Sequence, residues 1–153
     1  MAVYSIVKIG DPILRERAQE IKKVTPNVVK LLENMAETMY ETRGVGLAAP
    51  QIGIPKRAIV VDVGDGLVEI INPGITESSD ETAVDVEGCL SVPNSQGEVE
   101  RSLAVTVTGT GKNGCPIEIQ AEGLMARVLQ HEIDHLNGIL FIDRALRLID
   151  HRG

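Results

Sequence analysis

The spacing of apolar residues changes period along this chain, and each change marks an element. Val28, Leu32, Met35 and Met39 fall at i, i+4, i+7 and i+11, which is one apolar stripe of an α-helix. Thr25-Pro26 precedes them, an N-cap hydroxyl followed by proline at the first helical position. A helix is therefore predicted from residue 26 to Arg43, with Gly44 past its end. Leu124, Val128, His131 and His135 repeat the same spacing and predict a second helix, from about Leu124 to Asn137, closed by Gly138. Its start lacks a good N-cap, and Met125, Leu129 and Leu136 lie on another face suited to packing on a sheet.

Between the helices the period drops toward two. Residues 57–63 and 67–72 are rich in β-branched side chains and read as strands joined by the turn Gly64-Asp65-Gly66. Leu103 to Val107 alternates, Lys112-Asn113-Gly114 signals a hairpin, and Ile117, Ile119 and Ala121 alternate on the return. Residues 74–86 are acidic and polar and read as an irregular crossing. Residues 139–142 read as a last short strand, and Asp11 to Leu14 as a turn into a short helix. Gly44 to Gln51 holds two Gly, two Ala and a Pro in eight residues, a poor helix and a poor strand. It reads either as a loop that lets something approach the backbone closely or as a tight connection under a helix.

These elements predict an α+β fold in one domain, residues 1–153, with antiparallel sheets around the C-terminal helix and the N-terminal helix outside. Composition narrows the function. Aromatics at 2% imply an aliphatic core and no base-stacking platform. A net charge of −7 argues against broad binding to nucleic acid or anionic lipid, while leaving room for a local basic patch. No apolar run approaches a membrane span, and the first residues lack a secretory apolar region. Two cysteines make no disulfide framework. A cytoplasmic protein with reduced thiols is expected, without membrane or sequence-specific nucleic-acid contact.

The candidate chemistry sits on the second helix. His131-Glu132-Ile133-Asp134-His135 reads H-E-x-x-H. Residues four apart on a helix share a face, so two imidazoles can close on one metal while the glutamate handles a proton. A catalytic metal usually takes a third protein ligand. The pattern H-E-x-x-H-x-x-G-x-x-H fails at its last position, which is Phe141, and no Glu follows Glu132. Asp143 and Asp150 remain weak options. Cys89 is the stronger candidate, because thiolate is a good ligand for zinc or ferrous iron; a buried inert thiol is its bland alternative. Cys115, after an Asn-Gly turn, is read as inert.

Three segments, GVGLAAPQ at 44–51, EGCLS at 87–91 and HEIDHLNG at 131–138, resemble the signature motifs of peptide deformylases, in that family's order. The stretch from Ile9 to Arg15 is also similar to the family's N-terminus. The resemblance implies removal of the formyl group from the N-terminal methionine of new polypeptides, releasing formate. By that likeness Cys89, His131 and His135 would hold one divalent metal, ferrous iron physiologically, with zinc or nickel as substitutes. Glu132 would act as general base and then general acid, and Gln51 and the Leu90 backbone N–H would stabilise the oxyanion. Gly44, Gly46 and Gly88 would admit an extended peptide, and Val45, Leu124 and Val128 would line the methionine pocket. N-formylmethionyl peptides emerging from the ribosome are the expected partners of a monomer.

The chain departs from that pattern in two places. A basic residue that often follows EGCLS by a few positions is replaced by Ser95-Gln96-Gly97, with Arg101 coming later, which leaves contacts to the second and third substrate residues open. The tail from Arg144 to Gly153 is too short for a long helical ribosome-docking extension. Two other readings stay open at this point: a metallopeptidase using Asp143 or Asp150, and a deformylase-shaped protein that binds without turnover.

Overall fold

Strand pairing in this protein is antiparallel throughout its two sheets, as the hairpin signals require. The computed structural model describes residues 2–150, Asp150 by its backbone alone. The strands are β1 (Gly46–Ala48), β2 (Ala58–Val61), β3 (Val68–Ser78), β4 (Thr82–Cys89), β5 (Val92–Ser102), β6 (Ala104–Thr110), β7 (Pro116–Glu122) and β8 (Arg147–Asp150). One sheet has the order β1-β2-β3-β6-β7 and the other β4-β5-β8. The long helices are α1 (Pro26–Glu41) and α2 (Gly123–Leu136), and α3 (Phe141–Arg144) is a single turn.

The larger sheet lies between the two long helices, and β2 shows why. All four of its residues are buried. Ile59 and Val61 join the cluster packed under α2, with Leu129, Ile133 and Leu136. Ala58 and Val60 face the cluster under α1, with Leu32, Met35 and Met39. Side chains alternate across a strand, so a strand buried on both faces must be apolar at every position. Each large aliphatic side chain so buried contributes about 1.5–3 kcal/mol. A third cluster, Leu14, Val92, Val99, Leu140 and Phe141, lies under the smaller sheet.

The α1 boundaries follow from local chemistry. Thr25 accepts a hydrogen bond from the Val28 N–H, and Pro26 takes the first helical position. At the other end the helix stops at Glu41, two residues earlier than predicted. Arg43, not Gly44, takes the left-handed conformation, with φ 60°. Its N–H bonds to Tyr40 O at 3.1 Å and that of Gly44 to Met39 O at 2.9 Å, the paired bonds of a Schellman cap. Gly44 is small for another reason: a Cβ there would lie 3.3 Å from Leu90 Cδ1.

Other expectations are corrected. Residues 74–86 are not an irregular crossing: β3 continues to Ser78 and β4 begins at Thr82. The strand signal breaks at Asn72, left-handed at φ 53°, where the pairing with β6 shifts register. The Asn72 amide offsets that break by bonding to both Ile21 N and Ile21 O, at 2.9 and 2.8 Å. Residues 139–142 are not a strand, because the Asp143 carboxylate caps the Leu140 N–H at 2.9 Å and starts α3. The stretch 44–51 contains β1 and enters a 3₁₀ turn, Ala49–Ile52. The expectation for the chain's end falls partly on residues 151–153, outside the described residues.

Candidate active site

Where the two sheets meet α2, a cleft of about 570 Å³ opens to solvent. One wall is Gly44, Val45 and Gly46; another is Gly88, Cys89 and Leu90 at the end of β4; α2 supplies Leu124, Val128, His131 and Glu132. Every residue predicted for the site lines this cleft except His135, which lies deeper, at 1% exposure. Val128 is buried, whereas Val45 and Leu124 are exposed at the rim.

The donor atoms of Cys89, His131 and His135 all lie within 4.8 Å of one another, the one such cluster among the described residues. Cys89 Sγ is 3.3 Å from His135 Nε2. Tetrahedral zinc with ordinary bond lengths would set its ligand atoms about 3.3–3.6 Å apart, so this donor set fits one divalent ion. His131 gives its Nδ1 to Glu87 Oε1 at 2.9 Å, which leaves Nε2 for the cluster. Burial drives the His131 imidazolium down, but Cys89 and Glu87 outweigh it and raise the ring to about 10. Burial first, then His131 and Arg101, hold His135 well below the ordinary histidine value. Metal binding at such a cluster competes with the proton on His131.

The other expected ligands are elsewhere. Phe141 stacks on His131 with ring centroids 6.3 Å apart, so the position that fails the longer histidine pattern becomes a wall behind a ligand candidate. Asp143 is occupied by Arg15 and the Leu140 N–H. For Asp150 only the backbone is described. Cys115 is exposed and outside the cluster.

Glu132 has the environment of a proton carrier. It is 4% exposed, and its Oε1 has no hydrogen-bond partner. Burial pushes its carboxyl up to about 7, where a general base works near neutral pH. Its other oxygen explains Gly46: a Cβ there would lie 2.6 Å from Glu132 Oε2 and 2.7 Å from Val128 Cγ1. Gly88 is different, since a Cβ there meets nothing closer than 3.6 Å.

Gln51 is held by both ends of its amide. Its Oε1 caps the loop by accepting from Ala48 N at 3.0 Å. That bond fixes the amide, so Nε2 faces Ser91 Oγ at 3.2 Å and Cys89 Sγ at 3.6 Å. A donor is thus aimed at the thiol side of the cluster.

A buried ionic network escaped the sequence reading. Arg101 makes a two-pronged bond to Glu87, at 2.8 and 2.9 Å, and reaches Asp134 at 2.7 Å. Arg127 adds a bond to Glu87 and Arg144 two to Asp134. Despite burial, these guanidinium and imidazole partners hold the Glu87 carboxyl far below the ordinary range. Arg101 therefore does not face a substrate; it is 5% exposed, beneath the metal-ligand candidates. The available signal was Glu87 and Asp134 themselves, acids close in sequence to two ligand candidates and not among the three donors.

The comparisons with known proteins point to one family. The family model described as polypeptide deformylase matches residues 3–150. The chain is 64% identical over 149 residues to a peptide deformylase from Carboxydothermus hydrogenoformans, covering 97% of each chain. It is 59% identical over 145 residues to one from Pelotomaculum thermopropionicum, covering 95% of this chain and 93% of the other. The crystal structure of peptide deformylase from Thermotoga maritima superposes with a TM-score of 0.92 at 50% identity, covering 95% of this chain and 99% of that one. A Met-Ala-Ser-bound class I type b peptide deformylase from Acinetobacter baumannii superposes with a TM-score of 0.89 at 38% identity, covering 94% and 98%. With its predicted α+β architecture in place around the H-E-x-x-H helix, the chain belongs to the peptide deformylases, metal-dependent hydrolases that remove the formyl group from N-formylmethionyl peptides.

Proposed function

We propose that this chain deformylates new polypeptides with Cys89, His131 and His135 as metal ligands and Glu132 as the proton carrier. The observation that carries the reading is the meeting of that three-donor cluster with a buried, unpartnered carboxylate oxygen in one cleft. A bound divalent cation supplies Lewis acidity and lowers the pKa of water to near neutrality. Glu132 accepts the proton of the attacking water and delivers it to the leaving amine, a base turned acid. Gln51 Nε2 and the Leu90 N–H donate to the oxyanion as it develops. A glutamate at position 51 would repel that charge.

Val128 forms the buried part of the methionine pocket, with Val45 and Leu124 at its rim. Gly44, Gly46 and Gly88 flank the path of an extended peptide, and the Met-Ala-Ser bound by the Acinetobacter baumannii relative supports that occupancy. Ferrous iron is the physiological ion in this reading, with zinc or nickel able to replace it; a ferrous–thiolate site would be oxygen-sensitive. The substrates are N-formylmethionyl ends emerging from the ribosome, met in the cytoplasm by a monomeric single domain, residues 1–153. Among the described residues no helix is long and apolar enough to cross a membrane.

The direct test is release of formate from formyl-Met-Ala-Ser by anaerobically purified, metal-loaded protein. Turnover is expected, and none from loaded protein would favour a binding protein of this shape. Cys89→Ser and Cys89→Asp separate the metallopeptidase alternative, because undiminished metal content and activity in both would remove Cys89 from the ligand set. A second expectation concerns Glu87, which fixes the His131 ring. Glu87→Gln should weaken metal binding by about 10–100-fold, read by competition with a chromophoric chelator. Unchanged affinity would show that the ring needs no such support.

A further inference from the structure

The cleft carries one ionic group that the reaction does not use. Among its lining residues, Glu87 and Arg127 are paired with each other, and His131 and Glu132 belong to the reaction. Arg43 alone is exposed and makes no ion pair among the described residues. Asn94, Ser95 and Gln96 line the β5 side of the cleft and carry no charge. Arg43 is also held in the left-handed region, φ 60°, by the cap of α1. That conformation is unfavourable for a side chain of this size, and such strain marks positions worth a functional explanation.

We infer that Arg43 reads charge on the substrate, favouring acidic and disfavouring basic side chains at the second and third residues of the peptide. The inference rests on the proposed function and deepens it. The reacting end of a substrate lies at Glu132, beside Gly46. Beyond Gly46 the chain enters the core, where Leu47 and Ala48 are fully buried, so the peptide leaves in the other direction, toward Arg43. An extended chain advances about 3.3 Å per residue; the three steps from Gly46 back to Arg43 pass a bend at Val45 and a turn at Arg43, so they span less than the roughly 10 Å of an extended run. The formyl group, the methionine and the next residue cover that length. The long guanidinium side chain then flanks the second and third residues.

The sign of this effect sets it apart from the field of the whole molecule. A net charge of −7 attracts basic peptides, whereas Arg43 attracts acidic ones. An exposed pair of this kind is worth about a two- to fivefold difference in binding.

The experiment compares kcat/KM for formyl-Met-Ala-Ser, formyl-Met-Glu-Ser and formyl-Met-Lys-Ser with metal-loaded enzyme, together with the matching third-position series. Dissociation constants of the products Met-Glu-Ser and Met-Lys-Ser give a readout that needs no turnover. The glutamate peptides should exceed the lysine peptides by about two- to fivefold, mainly through KM. The ratio should fall toward one in about 1 M salt, where the screening length is near 3 Å. Arg43→Asn, which tolerates the left-handed backbone, should abolish the preference, and Arg43→Glu should invert it. A ratio at or below one in the wild type, or a preference that survives Arg43→Glu, would overturn the inference. Failure of all the formylated peptides would instead strike the deformylation reading, and product binding would still decide the role of Arg43.

Discussion

Glu132→Gln is expected to keep its metal and lose about 10²–10⁴ in turnover, the range ascribed to a positioned general base. The amide keeps the size of the carboxylate, so it fits the space that the absent side chain of Gly46 leaves. What disappears is the oxygen that can hold a proton. In the native protein that oxygen, Oε1, is buried without a partner and free to accept one. Cys89, His131 and His135 are untouched by the change, so metal content by elemental analysis should equal that of the wild type. Loss of metal together with activity would reassign Glu132 to supporting the ligands, and a near-normal rate with full metal would remove it from the mechanism.

The second large effect is on stability. Arg101→Leu should destabilise the fold by about 3–5 kcal/mol, the cost of stripping a partner from buried charges. Arg101 neutralises Glu87 and Asp134 together, and its side chain is 4% exposed. Each acid retains another cation, Arg127 for Glu87 and Arg144 for Asp134, which places the loss toward the lower end of that range. Against a typical total of about 5–15 kcal/mol this is a severe lesion. Urea denaturation of the metal-free protein isolates it from ligand effects. Arg147→Ala is the control: its side chain is 69% exposed and pairs with Glu98 at the surface, so it should cost less than about 1 kcal/mol. Equal losses from the two variants would show that burial does not govern the network.

Local patterns disclosed what local physics controls. The Thr25-Pro26 start of α1, the hairpin around Lys112-Asn113-Gly114 and the alternation in β7 follow from capping, turn geometry and side-chain alternation. All three stand where they were expected. The H-E-x-x-H helix was equally clear, because its two imidazoles share the face that carries Val128. The polar strands β4 and most of β5 were not legible. In β4 the acids Asp85 and Glu87 share one face and Val84 and Val86 the other, but the valines are exposed and Glu87 is buried, so the alternation points away from the core instead of toward it. The exit of α1 misled for a related reason: Gly44 looked like a cap, but its smallness answers to Leu90 across the cleft, a contact distant in sequence. Arg101 shows the same limit, since its acids lie 14 and 33 residues away and nothing nearby in the chain announces them.

Cys89 and His135 approach each other across 46 intervening steps of chain, and the exposed turn at Asn113-Gly114 falls between them. A single cut at that turn would divide the molecule into a leading fragment with the amide and the thiol and a trailing fragment with both imidazoles. Neither piece holds the full donor set. Capture of a coloured ion such as cobalt would then report recombination of the halves, which makes the enzyme a natural starting point for a split reporter.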